Sequence, residues 1–280
     1  ALQLGLGRAA VAQAGQGVGQ GLRLGQRAGT VKAGIQRLQF VHHGGLGFDQ
    51  VKQFYRQVGC REIGIGQGVA AHGLDHADAL YDFFAESGIT EVGFNMEETE
   101  GANSHSSLDA GGAAQAALEQ RYRAFMGRLW QRSREQPGRL CIREFDGIAS
   151  IACSQARMAQ TDMNTPFVIV NVDAKGQVST FDPELLSVKT AEYGDFSFGN
   201  VLEDSLASLA GTEKFRRVAA EIRAGVELCR ASCEHFGLCG GGTGSNKYWE
   251  HGRFDCTQTQ HCRYRIQLVA DVVLEGLEQE

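Results

Sequence analysis

Residues 75–95 read DHADALYDFFAESGITEVGFN, and this stretch sets the fold class. Asp75 can cap a helix that Gly88 ends. Residues 89–95 then have the composition of a β-strand. A helix that leads directly into a strand is the repeating unit of a parallel sheet or barrel, so we expect an α/β fold. The helix carries apolar residues three or four positions apart, on one face: Ala77, Leu80, Phe83 and Phe84.

The same alternation continues downstream. A long amphipathic helix ends at Pro137-Gly138, and the pattern then predicts a strand over 140–145 and a helix over 147–160. Only two strands can be recognised, which is too few to close a barrel. We therefore expect an incomplete (β/α) barrel over residues 69–163.

The character of the sequence changes after Pro166. Two strand-like segments, 167–172 and 177–181, flank a turn that ends in Gly176, where a hairpin needs a positive φ. We therefore expect a second, small α+β domain over residues 164–280. Apolar spacing predicts three helices in it, at 203–210, 212–225 and 263–277.

Residues 1–68 differ in composition from the rest of the chain. Residues 1–50 contain 12 Gly and eight Gln and show neither a helical stripe nor a convincing strand. Two interpretations remain open for this atypical Gly/Gln-rich segment. It is either sequence that is not native to the barrel or a flexible glycine-rich arm.

Composition and charge exclude several classes of partner. The formal net charge is −6, and the basic residues of the N-terminal part are spread among Gly and Gln without an aromatic platform, so we expect no nucleic-acid partner. No run of about 20 apolar residues and no signal-peptide pattern occurs, so we expect no membrane partner and a cytoplasmic location. There, the eight cysteines are expected to be metal ligands or buried thiols rather than disulfides.

Four cysteines near the end of the chain have the spacing of a metal site. The pattern is Cys229-x3-Cys233-x5-Cys239, followed by a gap of 22 residues to Cys262. Three thiolates on a looped segment and one at a returning helix can surround a 4Fe-4S cluster, which takes four thiolates. The glycines at 240–242 would let the backbone approach the cluster and direct amides at its sulfurs.

Zinc is the competing interpretation of this site. Structural zinc favours paired cysteines with two to four residues between them. The first pair fits that spacing and the second does not, although His235, His261 or Cys256 could replace a thiol. Cys256 otherwise has no assigned role. The remaining thiols have no ligand-like neighbours and are expected in the core: Cys60, Cys141 and Cys153.

Several separate motifs resemble those of one enzyme family. The cysteine segment contains Cys-Gly-Gly-Gly at 239–242, Ser-Asn-Lys-Tyr at 245–248 and Cys-Arg-Tyr-Arg at 262–265. Upstream lie Gly-Phe-Asn-Met-Glu-Glu at 93–98 and Phe-Asp-Pro-Glu-Leu at 181–185. From about residue 70 to the end, the chain resembles the radical SAM/SPASM peptide maturases, and among them the cyclophane-forming GrrM/OscB type.

The resemblance implies a radical SAM barrel that binds S-adenosyl-L-methionine on a 4Fe-4S cluster, followed by a SPASM-like domain with an auxiliary cluster. It also implies a ribosomally made precursor peptide as substrate, crosslinked from a carbon to a neighbouring aromatic ring, and a redox donor or acceptor protein. Asn95, Glu97 and Glu98 follow a predicted strand at the barrel mouth and would contact the cofactor or the substrate. An ordinary polar loop is the alternative for these three residues.

The chain departs from the family pattern in two places. No Cys-x3-Cys-x2-Cys loop occurs in it, so we expect this polypeptide alone to be unable to start radical chemistry. The hairpin has no cysteine, so we expect one auxiliary cluster rather than two. The alternative function is a non-catalytic iron-sulfur or zinc-binding module that interacts with peptides. The expected ligands of the single cluster are Cys229, Cys233, Cys239 and Cys262.

Two further groups of residues have ordinary structural interpretations. His72 and His76 lie four positions apart, but no third ligand is near them, and we expect both on the surface. Aromatic residues surround the cysteine segment and are expected to form the core of the small domain: Phe236, Tyr248, Trp249 and Phe254.

Overall fold

The structure is a computed structural model that describes residues 10–12, 37–41, 62–101, 103–154, 156–186 and 188–279. Within these residues, five parallel strands form one sheet in the order in which they occur along the chain. The strands are β1 (Ala10–Ala12), β2 (Arg37–Val41), β3 (Glu62–Val69), β4 (Glu91–Met96) and β5 (Cys141–Ile142).

The sheet has more strands than the sequence predicted. The expectation of two strands is wrong for the described residues, because β1 and β2 come from the Gly/Gln-rich segment and β3 crosses its predicted boundary at residue 68. The reason lies in β3, where every second residue from Gly64 to Gly68 is glycine. Glycine has no side chain, so β3 lacks the alternation of apolar and polar residues that identifies a strand in a sequence. Its hydrogen bonds with the neighbouring strands identify it instead.

Strand β5 is also shorter than predicted. It ends at Ile142, and the chain continues directly as a helix instead of extending to residue 145. The side chain of Glu144 accepts a hydrogen bond from the backbone N–H of Phe94 at 3.0 Å. The carboxylate of Glu144 therefore takes the place of a strand partner for the Phe94 N–H, which lies beyond the end of β5.

Helices cover one face of this sheet and enclose the first hydrophobic core. The helices are α1 (Ala77–Glu86), α2 (Gly112–Glu135) and α3 (Arg143–Cys153). Two details of α1 differ from prediction: its N-cap is His76, because Asp75 instead forms an ion pair with Arg121, and Phe83 is 49% exposed. Tyr81 is fully buried in its place.

A second core lies between a three-stranded antiparallel sheet and a helix pair. The predicted hairpin is confirmed as β6 (Val170–Val172) and β7 (Gln177–Thr180). The pairs that follow were not predicted: β8 (Lys189–Thr190) with β9 (Gly194–Asp195), and β10 (Gly199–Asn200) with β7. The helices are α4 (Leu206–Ala210) and α5 (Glu213–Ser232); α5 runs seven residues past its predicted end at 225.

The last part of the chain connects the two cores. It contains α6 (Phe236–Cys239), α7 (Gly244–His251), a π-helix (Cys262–Leu268) and α8 (Val269–Glu278). The predicted helix at 263–277 is thus part π-helix and part α-helix. Tyr264, Leu268 and Val269 are buried in the first core rather than the second, so the segment predicted as the small domain contributes to both cores. Among the described residues, no helix is long and apolar enough to span a membrane.

Candidate functional site

The four predicted ligand cysteines come from three separate elements. Cys229 lies in the last turn of α5, and Cys233 is the residue at which that helix ends. Cys239 is the last residue of α6, and Cys262 is the first residue of the π-helix. All four line one cavity of about 480 Å³. The structure therefore brings together the set that the sequence spacing predicted.

A glycine loop forms one wall of the cavity. Gly240, Gly241 and Gly242 all have positive φ, at 61°, 94° and 73°. A Cβ on Gly240 would lie 2.7 Å from a backbone atom of Gln160, so only glycine lets the loop follow Cys239 so closely. The side-chain amide of Asn164 donates to the carbonyl oxygens of Gly240 and Gly242, at 2.9 and 3.0 Å.

The thiols influence one another electrostatically. Burial, together with the neighbouring Cys239, Cys233 and Cys229, raises the pKa of Cys262 to about 12. Burial also raises the pKa of Cys239, while backbone hydrogen bonds from Gly241 and Gly242 oppose the rise. Four thiolates this close repel each other, so the charged form of the site requires positive charge among them.

The four thiols line a common cavity. Among the described residues, no group of three or more His, Cys, Asp or Glu side chains is close enough to hold a metal ion. Zinc binds four thiolates at about 2.3 Å each, which requires the sulfurs to converge. A 4Fe-4S cluster places iron and sulfide between its ligands and therefore needs an enclosed volume.

The other cysteines of the described part of the chain do not line the cavity. Cys153 is exposed and Cys141 is half-buried, with its Sγ 2.6 Å from a carboxylate oxygen of Asp146, so the prediction that both are core thiols is wrong. Cys60 lies outside the described residues. Cys256 is half-buried, and its Sγ is 3.5 Å from the carbonyl oxygen of Arg253.

The aromatic residues near the cysteines are largely core residues, as predicted. Phe254 is fully buried, and Tyr248 stacks on it with ring centroids 5.5 Å apart. Trp249 contacts Tyr248 edge-on, while Phe236 packs with Cys229 in a small separate cluster. His72 and His76 are both exposed, in agreement with prediction.

A second candidate region lies on the face of the parallel sheet opposite the helices. Val92, Phe94 and Met96 of β4 are buried in the first core, so the alternate residues Gly93 and Asn95 face the other way. Strand register places Gly64, Gly66 and Gly68 of β3 on the same side. We call the surface formed by Gly64, Gly66, Gly68 and Gly93 the glycine face.

Asn95 stands at the end of the glycine face between two arginines. Its Oδ1 accepts hydrogen bonds from Arg143 Nη2 at 2.8 Å and from Arg265 Nη1 at 2.9 Å. Both guanidinium groups also contact Glu144, which is nearly fully buried, at 3.1 Å. The Arg143 guanidinium lies directly over Gly93, where a Cβ would be 2.3 Å from Nη2. Arg143 was not identified from sequence, although arginine directly after a strand was a usable signal.

Glu97 and Glu98 have different surroundings. Glu97 accepts hydrogen bonds from the backbone N–H and the hydroxyl of Ser107, at 2.7 and 2.5 Å, and so orders its own loop. Glu98 contacts His261 Nδ1 at 2.9 Å and accepts from Asn246 Nδ2 at 2.7 Å. Although burial raises the pKa of Glu98, these two partners outweigh it and the net pKa is lowered.

Sequence reasoning missed a group of buried carboxyls beside Glu98. Burial, together with the charges of Glu98 and Asp182, raises the pKa of Glu100 to about 8. The hydrogen bond to Asp182, followed by burial, raises the pKa of Glu184. Asp182 itself is almost fully buried and accepts a hydrogen bond from Ser245. These groups come from segments far apart in sequence, so no local pattern could have identified them.

Comparison with solved structures defines the class of fold. The chain matches anSMEcpe with bound AdoMet and the Cp18Cys peptide at a TM-score of 0.58, with 17% identity, over 86% of this chain and 68% of that one. It matches anSMEcpe with bound AdoMet alone at a TM-score of 0.57. These neighbours are radical SAM/SPASM enzymes, and the likeness shows that this chain has an α/β radical SAM-like fold.

No protein-family model matches the chain. One curated relative is the uncharacterized protein sll1766 of Synechocystis sp. (strain ATCC 27184 / PCC 6803 / Kazusa), which is 50% identical over 206 residues. The match covers 74% of this chain and 50% of sll1766, so the chain spans about half the length of that relative.

Proposed function

We propose that this chain is the C-terminal portion of a radical SAM/SPASM enzyme that modifies a ribosomally made precursor peptide, with one auxiliary 4Fe-4S cluster. The observation that carries the proposal is the set of four thiols around one cavity, within a fold shared with radical SAM/SPASM enzymes. The ligands of the cluster are Cys229, Cys233, Cys239 and Cys262. When bound, such a cluster would supply one-electron transfer.

The chemistry of the donor set favours a cluster over zinc. All four donors are thiols, and they line a cavity of about 480 Å³ that leaves room for iron and sulfide. The glycine loop has backbone amides next to Cys239, where they can donate to cluster sulfurs and tune its potential.

The glycine face is the proposed binding surface for S-adenosyl-L-methionine. A Cβ on Gly68 would meet no heavy atom within 4 Å, so a flat ligand can lie directly on the backbone. The Arg143 guanidinium, one-third exposed, borders this surface and can pair with the carboxylate of the ligand. Asn95 positions Arg143, whereas Glu97 and Glu98 support the loop that follows β4. The bound AdoMet of anSMEcpe supports the assignment of this cofactor.

The proposed reaction is cyclophane crosslinking of the precursor peptide, with a redox protein as electron partner. The peptide part is supported by the peptide bound to anSMEcpe, and the crosslink by the resemblance of residues 93–98 and 239–265 to the cyclophane-forming type. The carbon that is crosslinked depends on the peptide sequence. Each crosslink replaces two C–H bonds by one C–C bond, so the precursor should lose two hydrogens per crosslink. Mass spectrometry of a precursor coexpressed with the full-length enzyme measures this loss.

Anaerobic reconstitution tests the metal site directly. We expect about four irons per chain and a broad absorption band near 400 nm, both lost in Cys233→Ala. Cys153→Ala is the matched control, because Cys153 is exposed and outside the cavity, and it should keep both signals. Tightly bound zinc without the band would overturn the cluster assignment in favour of a zinc-binding module.

A further inference from the structure

Lys247 lies against the proposed cluster site although it cannot serve as a metal ligand while charged. The residue is only 4% exposed, and its ammonium Nζ is 3.6 Å from Cys229 Sγ. Within the described part of the chain, that thiol is the one hydrogen-bond partner of the ammonium. Lys247 also borders the cavity that the four thiols line.

The helix beside Lys247 has a glycine where the ammonium approaches it. Gly225 and Cys229 are four residues apart on α5 and therefore lie on the same helix face. A Cβ on Gly225 would lie 2.9 Å from Lys247 Nζ and 2.1 Å from the carbonyl oxygen of Phe254. Glycine in the middle of a helix costs about 0.5–1 kcal/mol relative to alanine. The carbonyl oxygen of Phe254 excludes a side chain at Gly225, and the space that remains is occupied by the Lys247 ammonium.

A buried ammonium requires a nearby negative charge. Transferring an isolated charge from water to a protein interior is strongly unfavourable unless it is paired. The sulfur nearest to the ammonium is Cys229 Sγ at 3.6 Å, and a cluster held by four thiolates is an anion. The ammonium and the anionic cluster would therefore stabilise each other.

We propose that Lys247 is a positioning residue that acts as the buried counter-charge of the auxiliary cluster and raises its reduction potential. The inference rests on the proposed function, because it presupposes the cluster. Reduction adds negative charge to the cluster, and a fixed cation beside a ligand sulfur stabilises the reduced form more than the oxidised form.

Reconstituted protein with Lys247→Met tests the proposal, because methionine keeps the length of the side chain and removes its charge. We expect about four irons per chain and an equilibrium constant for one-electron reduction about tenfold lower than in the wild type, which is a potential about 59 mV more negative. The potential is measured by a redox titration followed by electron paramagnetic resonance. Lys247→Arg should restore a potential close to the wild-type value.

Lys214→Met is the matched control. Lys214 forms an ion pair with Asp195 at 2.6 Å, away from the thiols, and its removal should leave the potential unchanged. An unchanged potential in Lys247→Met would overturn the inference while the cluster assignment stands. If Lys247→Met binds no iron, loading of Lys247→Arg supports the role of the charge, and failure of both variants refutes it. Absence of iron from the wild type would instead refute the proposed function.

Discussion

Glu144 shows how one buried carboxylate organises the end of the sheet. Its side chain is only 2% exposed. It accepts the backbone N–H of Phe94 and contacts the guanidinium groups of Arg143 and Arg265. A buried charge is stable only when it is paired and hydrogen-bonded, and here all three partners meet that requirement. The same contacts hold Arg143 over the glycine face.

Gly93→Ala should therefore show whether glycine is needed at residue 93 to make room for the Arg143 guanidinium. Its Cβ would be 2.3 Å from Arg143 Nη2, so the guanidinium must move, and we expect a loss of about 1–3 kcal/mol in the free energy of unfolding. Chemical denaturation measures this loss. Gly68→Ala is the control, because its Cβ has open space, and it should change stability by no more than about 1 kcal/mol. Equal losses in both variants would contradict the steric explanation.

The segment that follows α3 helps to fix the glycine loop of the cluster site. Asn164 accepts a hydrogen bond from the backbone N–H of Thr161 at 2.8 Å while it donates to two carbonyls of the loop. The backbone N–H of Gly240 also donates to the carbonyl oxygen of Phe236 at 2.8 Å. One side chain therefore couples the segment after α3 to the backbone that follows Cys239.

Asn164→Ala should lower the free energy of unfolding by about 1–3 kcal/mol, because one buried and one part-buried carbonyl oxygen lose their donor. We also expect slower incorporation of iron during reconstitution, since Cys239 is no longer held in place. Asn171→Ala is the matched control: the Nδ2 of Asn171 is buried without a hydrogen-bond partner among the described residues, so its loss should be close to neutral. A neutral Asn164→Ala would show that the loop is fixed by other contacts.

The π-helix at 262–268 is the second element that shapes the site. Its wide turn places Tyr264 and Leu268 in the first core while Cys262 faces the cavity. The hydroxyl of Tyr264 donates to the carbonyl oxygen of Leu108 at 3.0 Å. Arg265 leaves the same turn to reach Asn95. Short π-helical segments occur frequently at functional sites, and here one segment serves both the thiol site and the glycine face.

At the scale of the whole molecule, polar contacts between the loop after β4 and the C-terminal region join the two cores. Glu98 contacts His261 and Asn246 across this junction, and Asp182 accepts from Ser245. Glu100 is part of the same junction, but its Oε1 is buried without a hydrogen-bond partner in the described part of the chain. The junction thus contains more carboxyl groups than the described partners at the junction can balance in charge.

The stability of the folded chain should therefore depend on pH through Glu100. Its pKa is about 8 in the fold, against a usual 4.5, so the folded state holds a proton that the unfolded state releases. This contribution is complete below about pH 4.5 and is lost as the pH rises toward 8. Glu100→Gln should raise the free energy of unfolding at pH 8 by about 1–2 kcal/mol, a value that allows for the partial exposure of Glu100. It should also make the fall in stability between pH 5 and pH 8 less steep.

Thermal unfolding between pH 5 and pH 8.5 measures this dependence. Glu97→Gln is the matched control. Glu97 accepts hydrogen bonds from Ser107 and does not belong to the buried carboxyls at the junction. This variant should keep the decline with pH that the wild type shows. If the stabilities of the wild type and of Glu100→Gln changed in parallel between pH 5 and pH 8, the protonated state assigned to Glu100 would be wrong.

The sequence alone determined the features that local spacing can encode. The helix-to-strand alternation of residues 75–95 indicated the α/β class, and turn chemistry indicated the hairpin at 167–181. The four cysteines were identified because three of them lie within eleven residues of one another, from 229 to 239. Each of these signals depends on neighbours in sequence.

Tertiary structure decided the rest, because those features depend on residues far apart in the chain. Strand β3 contains three glycines, so its hydrogen bonds with neighbouring strands identify it rather than any apolar pattern. Arg265 and Asn95 are 170 positions apart, and Lys247 contacts Cys229 on another helix, 18 positions earlier in the chain. Local periodicity reports which side chains face a core, whereas a charge placed beside a thiol depends on how whole elements pack.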